Sequence, residues 1–336
     1  MQFAFTEDQV LFRDTVRDFL ANECKPEAVR AAWENDTGRI PGMWQQLCEM
    51  GVIGLVAPES SGGFGMSELD LVGLLEETGR AALPEPIVEH AAVAVPLLRD
   101  HHAHADEWLS RAASGEALVG VALARSPYVA YADQAEALLL AHGDDVYLVP
   151  RGAVTLTAQR AVDFSRRLFS VQWTTGDGMR IARGDEGRQA QADAFNRGAL
   201  GASAQLIGLA QQMVDVTVDY VGQREQFGKV VGSFQAVKHH MSNALLAVEF
   251  ARPMVYVAAY AVANATPHRD REVSIAKAMA SEAADRVCRL ALQCHGAIGY
   301  TFEYDLHLWM KRAWALSTAW GDAPFHQDRV AAALGL

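Results

Sequence analysis

The chain is short of cysteine, proline and positive charge, and each shortage excludes a class of protein. Four cysteines in 336 residues, at 24, 48, 288 and 294, show neither CxxC spacing nor an ordered framework. That excludes a disulfide scaffold and leads us to expect four free thiols in a reducing cytoplasm. Eleven prolines stand against a hydrophobic fraction of 50%, a composition that favours helices. The formal charge is -12, from 29 Lys and Arg against 41 Asp and Glu. No basic stripe is present to neutralise phosphates, which excludes nucleic acid as a partner. No uninterrupted apolar run reaches the roughly 18 residues that a membrane span needs. The amino terminus opens directly into an amphipathic helix with no signal or transit peptide in view. The expectation is a cytoplasmic protein with no membrane partner, long enough for two or three domains around a large core.

What is present is organised around residues 199–250, which read as two long helices joined by a short basic turn. Leu206, Ile207, Leu209, Met213, Val214, Val216 and Val218 recur at three- and four-residue steps, the spacing that keeps one helix stripe apolar. Phe234, Val237, Met241, Leu245 and Val248 do the same on the second helix, after Gly228 and Gly232 have let the chain turn. The turn carries Arg224, Gln226, Phe227, Lys229, Ser233, Phe234 and Gln235. A cation, amides, a hydroxyl and a ring at a helix end suit a phosphate-containing ligand. Spacing alone equally describes an ordinary helix hairpin with solvated polar residues.

In chain order, residues 5–25 read as an amphipathic helix started by a capping box of Thr6 and Gln9. Residues 41–50 and 67–82 are further helices, separated by the loop LVAPESSGGFG, with Gly79 expected to close the second. Residues 84–115 continue as helices broken by turns at Pro84, Pro86 and Pro96. From 117 to 183 the texture changes to short apolar or alternating runs bounded by Gly, Asp and Pro. These predict five or six strands in a small antiparallel barrel or sandwich. Helical periodicity returns from 199 to the end, with helices over 272–295 and 306–319 and a last one after Pro324, which make a bundle of four or five. The fold class is mostly α: an N-terminal helical domain (1–116), a small, shortened middle β domain (117–190) and a C-terminal four-helix bundle (191–336). Its faces rich in alanine, at 259, 261, 263 and at 276, 278, 280, allow close helix approach. No metal is expected: His239 and His240 are adjacent, but no Glu-x-x-His pair lies on the bundle helices.

Three stretches agree in wording as well as in period. REQFGKVVGSFQAVKHHMSNALLAVEFAR resembles the flavin-clasp segment of the acyl-CoA dehydrogenase family, and QCHGAIGYTFEYDLHLWMKRA resembles its glycine motif. The third is the amino-terminal FTEDQVLFRDTVRDFLANE with the later VAPESSGGFGMSELDLVGLLEETGR. The resemblance implies FAD as cofactor, an acyl-CoA thioester as substrate and an electron-transfer flavoprotein-type acceptor. Arg224, Gln226, Phe227, Gln235, Gln293, Gly296 and Gly299 match the family's clasp for the adenosine diphosphate half of FAD, which reaches across a subunit interface. Tyr300 and Glu303 also match family positions and read first as packing and helix-start residues. The glycine-rich loop at 57–65 is expected near the substrate side of the flavin, or as a simple connection.

The same resemblance exposes departures. The family places its glutamate base at one of two positions, and these correspond here to Trp320 and Gly198. Asp322 is the nearest carboxylate, with a helix cap before Pro324 as its other reading. The middle-domain run that holds the flavin ring and thioester corresponds to ALARSPYVAYADQAEALLLA, where Ser126 alone could stand in. The implied function is a β-type, half-site subunit that lends its FAD clasp to a longer catalytic partner in an α2β2 enzyme acting on bulky acyl-CoA, steroid side chains included. The rivals are a self-sufficient homotetramer with Asp322 as base, a flavin-free scaffold of the same fold, and a flavin monooxygenase.

Overall fold

The structure is a computed structural model that describes residues 4–101, 105–123 and 127–336; Ser126 lies outside the described residues. Thr6 opens α1 (Glu7–Glu23): its hydroxyl accepts from the Gln9 N–H while Gln9 Oε1 accepts from the Thr6 N–H, the reciprocal cap expected from the sequence. There follow α2 (Pro26–Glu34), α3 (Met43–Glu49), α4 (Glu68–Arg80), a π-helical stretch (Val88–Ala94), α5 (Val95–Asp100) and α6 (Asp106–Ala113). Gly79 does not close α4, which runs on to Arg80. A Cβ on Gly79 would collide with the backbone of Gln205, and one on Gly208 with the backbone of Glu76. The two glycines let α4 cross the long helix α7 (Gly184–Gln223) at backbone contact.

The middle of the chain forms seven strands: β1 (Val119–Ala122), β2 (Val129–Ala130), β3 (Ala137–His142), β4 (Asp145–Pro150), β5 (Thr155–Gln159), β6 (Leu168–Gln172) and β7 (Met179–Ala182). They make one sheet in the order β1-β3-β4-β7 and another in the order β2-β6-β5, sharing a core of Leu138, Leu140, Val149, Val129 and Phe169. This is the sandwich alternative with one correction, because β1 and β3 pair in parallel. The chain between them leaves the first sheet to build β2 of the second, and that crossover lets it return in the same direction.

After α7 come α8 (Gln235–Ala263), α9 (Arg269–His295), α10 (Leu306–Thr318) and α11 (Ala323–Leu334). Helix α7 begins at Gly184, ahead of the helix start expected at 199 and of the domain boundary expected at 191. Residues 198–210 of α7 are buried on every side, between α4, α8, α9, α10 and the π-helical stretch. The single apolar stripe expected there is therefore a fully enclosed core segment, while Val218 at its end stands exposed. The buried seam of α8 is Ala244, Val248, Ala251, Val255 and Ala258, so Leu245 lies off it and faces outward.

One buried ion pair ties the layers together. Arg312 of α10 donates to Asp163 at 2.7 Å and also to Ser165 and to the Leu83 carbonyl. Burial alone would raise the Asp163 pKa, but the Arg312 charge and the Ser165 hydroxyl outweigh it and hold the carboxyl below its ordinary value.

Candidate functional site

The residues singled out in the sequence collect at the two ends of α7. At its C-terminal end the turn is a small ribbon, in which Glu225–Gln226 pair with Lys229–Val230. Phe227 and Gly228 form its corner with φ of 55° and 75°, the two positive values that a tight primed turn needs. A left-handed phenylalanine costs on the order of 1 kcal/mol, and here the ring is also 91% exposed. Arg224, Gln226, Gln235 and Gln293 are exposed as well. Tyr220 stacks on His295 with centroids 4.4 Å apart, which brings the end of α9 beside the ribbon. Gly296 ends α9 at φ 68° with open space over its Cα, whereas a Cβ on buried Gly299 would press at 3.0 Å on His295 and Leu292. Gly296 therefore leaves the backbone approachable, and Gly299 serves packing. Tyr300 is 76% exposed and Asp305 is the residue that precedes α10, so Tyr300 does not pack within the chain and Glu303 does not start the helix.

At the other end lies a cavity of about 670 Å³, between the 160–168 segment, the first turns of α7 and the turn joining α10 to α11. Trp320 forms part of its wall. The indole lies against Gly198, where a Cβ would collide with the ring. The two positions that the resemblance gives to a base are thus neighbours in space, one filled by an indole and the other bare. Among the described residues no Asp or Glu lines the cavity, and the glycine-rich loop at 57–65 does not border it. Asp322 is exposed, caps α11 by accepting from the Phe325 N–H at 3.0 Å, and is absent from the lining.

The Trp320 turn is held from beneath by two residues that sequence reading missed. Lys277 of α9 donates to the carbonyls of Ser317 (3.0 Å) and Gly321 (2.9 Å) and to the Ser281 hydroxyl (3.1 Å). The lysine is fully buried, which pushes its pKa down to about 7, with Asp322 opposing the shift. Burial likewise pushes His326 down to about 4. Neutral His326 donates from Nε2 to the Trp320 carbonyl at 2.8 Å. This clamp holds Trp320 at a φ of 58°, a conformation that a bulky residue keeps when its surroundings over-determine it. No local pattern announces it, since Lys277 looks in sequence like any helix-surface lysine.

The family described as "Acyl-CoA dehydrogenase, N-terminal domain" matches residues 6–116, and "Acyl-CoA dehydrogenase, C-terminal domain" matches residues 185–335. The chain belongs to the acyl-CoA dehydrogenase family. Acyl-CoA dehydrogenases are FAD-dependent oxidoreductases acting on a CH–CH bond of an acyl-CoA. The chain is similar to "Acyl-CoA dehydrogenase IpdE2" of Mycolicibacterium smegmatis, with 35% identity over 92% of this chain and 93% of the relative. Its fold is similar to that in the ChsE4-ChsE5 complex from Mycobacterium tuberculosis, with TM-score 0.89 at 24% identity over 100% of this chain and 99% of the other. A Tcur3481-Tcur3483 steroid ACAD shares the fold too, with TM-score 0.87 at 20% identity over 98% of each chain.

Proposed function

We propose that this chain is the base-free, clasp-bearing subunit of a heteromeric acyl-CoA dehydrogenase. It assembles with a longer subunit of the same family as α2β2 and lends Arg224, Gln226, Phe227, Gln235, Gln293 and Gly296 to an FAD whose ring lies in the partner, while buried Gly299 packs the turn behind them. The observation that carries this reading is a separation. From Phe195 at the cavity to Arg224 beyond its end, α7 rises on the order of 40 Å at ~1.5 Å per residue. A clasp that far from its own cavity, pointing into solvent, serves a cofactor held by another chain.

FAD, when bound, supplies the hydride acceptor of the dehydrogenation. The residues of this chain hold it in place. Arg224 offers a planar guanidinium fork to the pyrophosphate. The exposed amides of Gln226, Gln235 and Gln293 add hydrogen bonds, Gly296 permits close backbone approach, and the Phe227 ring covers the nucleotide. Removing the proton next to the thioester needs a positioned carboxylate, whose loss costs about 10² to 10⁴ in rate. This cavity has none among the described residues, and in the proposed assembly the base comes from the partner. Asp322, already engaged as a helix cap, is a poor substitute.

The similarity to a steroid ACAD and to chains solved as two-component complexes supports a bulky acyl-CoA substrate and a cytoplasmic enzyme that passes electrons to an electron-transfer flavoprotein-type acceptor. The test is flavin content and native mass of the chain, purified alone and co-expressed with a longer family member. Alone it is expected colourless, and together one flavin per two chains. Arg224→Ala is expected to lower flavin retention at least tenfold. A yellow protein with one flavin per chain and full dehydrogenase activity in isolation overturns the reading.

A further inference from the structure

The cavity behind Trp320 has a chemistry of its own. Its lining includes Arg160, Arg166 and Arg329 and no carboxylate among the described residues, in a chain whose formal charge is -12. Two of these cations already face acids: Arg166 pairs with Glu89 at 3.0 Å, and Arg329 lies 3.8 Å from Asp270. Arg160, exposed at the rim, has no carboxylate in ion-pair range among the described residues. Among the described residues the wall therefore carries one positive charge with no acidic partner.

The rest of the wall is mainly apolar, with Phe195, Trp320 and Phe325 on one side and Val162 and Leu168 on the other. Phe195 meets Phe325 edge-on at 5.8 Å and Trp320 at 6.4 Å, so these rings form one continuous aromatic surface. The last turn of α10 also borders the cavity, and the partial negative charge of a helix C-terminus disfavours a polyanion. A volume of about 670 Å³ is in the range of small-molecule pockets, which bury an apolar body and fix it with few polar groups.

We propose that this cavity binds a ring-bearing hydrophobic monocarboxylate as a free acid. Its carboxylate pairs with Arg160 at the rim, and its rings lie between the aromatic surface and Val162 and Leu168. A pyrophosphate would need more free cations than the described residues of the wall offer, and a neutral ligand would leave Arg160 unused. The proposal rests on the reading that no flavin ring occupies this cavity.

The test is calorimetric titration of the purified full chain with 1-pyrenebutyrate and, as the neutral match, 1-pyrenebutanol. We expect one acid per chain, bound about tenfold more tightly than the alcohol, the size of one charge-assisted contact. Arg160→Gln, at an exposed position, is expected to keep the fold and abolish that preference. Trp320→Phe is expected to weaken acid and alcohol alike. Equal affinity for the two probes, an unchanged preference in Arg160→Gln, or no saturable binding overturns the proposal. The visible absorbance of the same sample separates the two failures: flavin bound in the isolated chain sinks the half-site reading, whereas a colourless chain that binds neither probe sinks this inference alone.

Discussion

Trp320 and Phe227 are two large aromatic residues held where glycine would be comfortable, with φ of 58° and 55°. At Trp320 the clamp of Lys277 and His326 maintains the conformation, and titration of the lysine makes that clamp depend on pH. The folded pKa of Lys277 is lowered from 10.5 to about 7, so between those values the unfolded chain binds more protons than the folded one. Stability from this site is therefore lowest below pH 7 and rises as pH climbs toward 10.5. The Tm of the wild type relative to Lys277→Met should shift upward between pH 7 and 9, and a difference that stays flat or falls refutes this. At Phe227 the ring is exposed and meets only Phe234 edge-on at 6.1 Å among the described ring contacts. Phe227→Asn, which tolerates the left-handed region, should raise the stability of the isolated chain by about 0.5–1 kcal/mol. It should also weaken flavin retention in the assembled enzyme. Thermal melts and flavin release read the two effects separately.

At the scale of the element, α8 shows how far periodicity carries. Within its 29 residues an 18-residue window reaches a mean hydropathy of 1.4, enough by length and composition for a membrane span, with 33% of that window buried. The helix packs in the bundle against α9 and α7 and leaves Leu245, Leu246 and Phe250 exposed. Leu246 and Phe250 are one turn apart and share a face. In the heteromeric assembly proposed above, this face is expected to lie against the partner subunit. Phe250→Glu should prevent assembly, measured by native mass, while leaving the helical content of the separate chain unchanged. The presence and start of α8 were legible in the sequence, but its run beyond 250 to Ala263 and which of its apolar residues face inward were not. The inner seam falls on alanines because α9 comes close enough to need them, and the larger Leu245 is turned out. Gly79 was misread for a related reason, since a glycine near a helix end looks like a stop signal and here serves the crossing of α4 with α7.

At the scale of the molecule, the 40-residue α7 separates the turn at 224–235 from the cavity behind Trp320, and the proposed half-site role rests on that separation. The family, the two positions lacking an acid and the order of helical, β and helical regions could all be read from the sequence, because a helix repeats locally and the three family stretches are contiguous. Composition and spacing by themselves determined that the chain is helical, acidic and built around two long helices. The cap made by Asp322 is local and was already a reading of the sequence. Only the tertiary structure decided that Trp320 rests on Gly198, that Lys277 is buried beneath the turn, and that three arginines border one cavity. Those contacts join residues from tens to more than a hundred positions apart, and such distances are closed by packing, which no local pattern encodes.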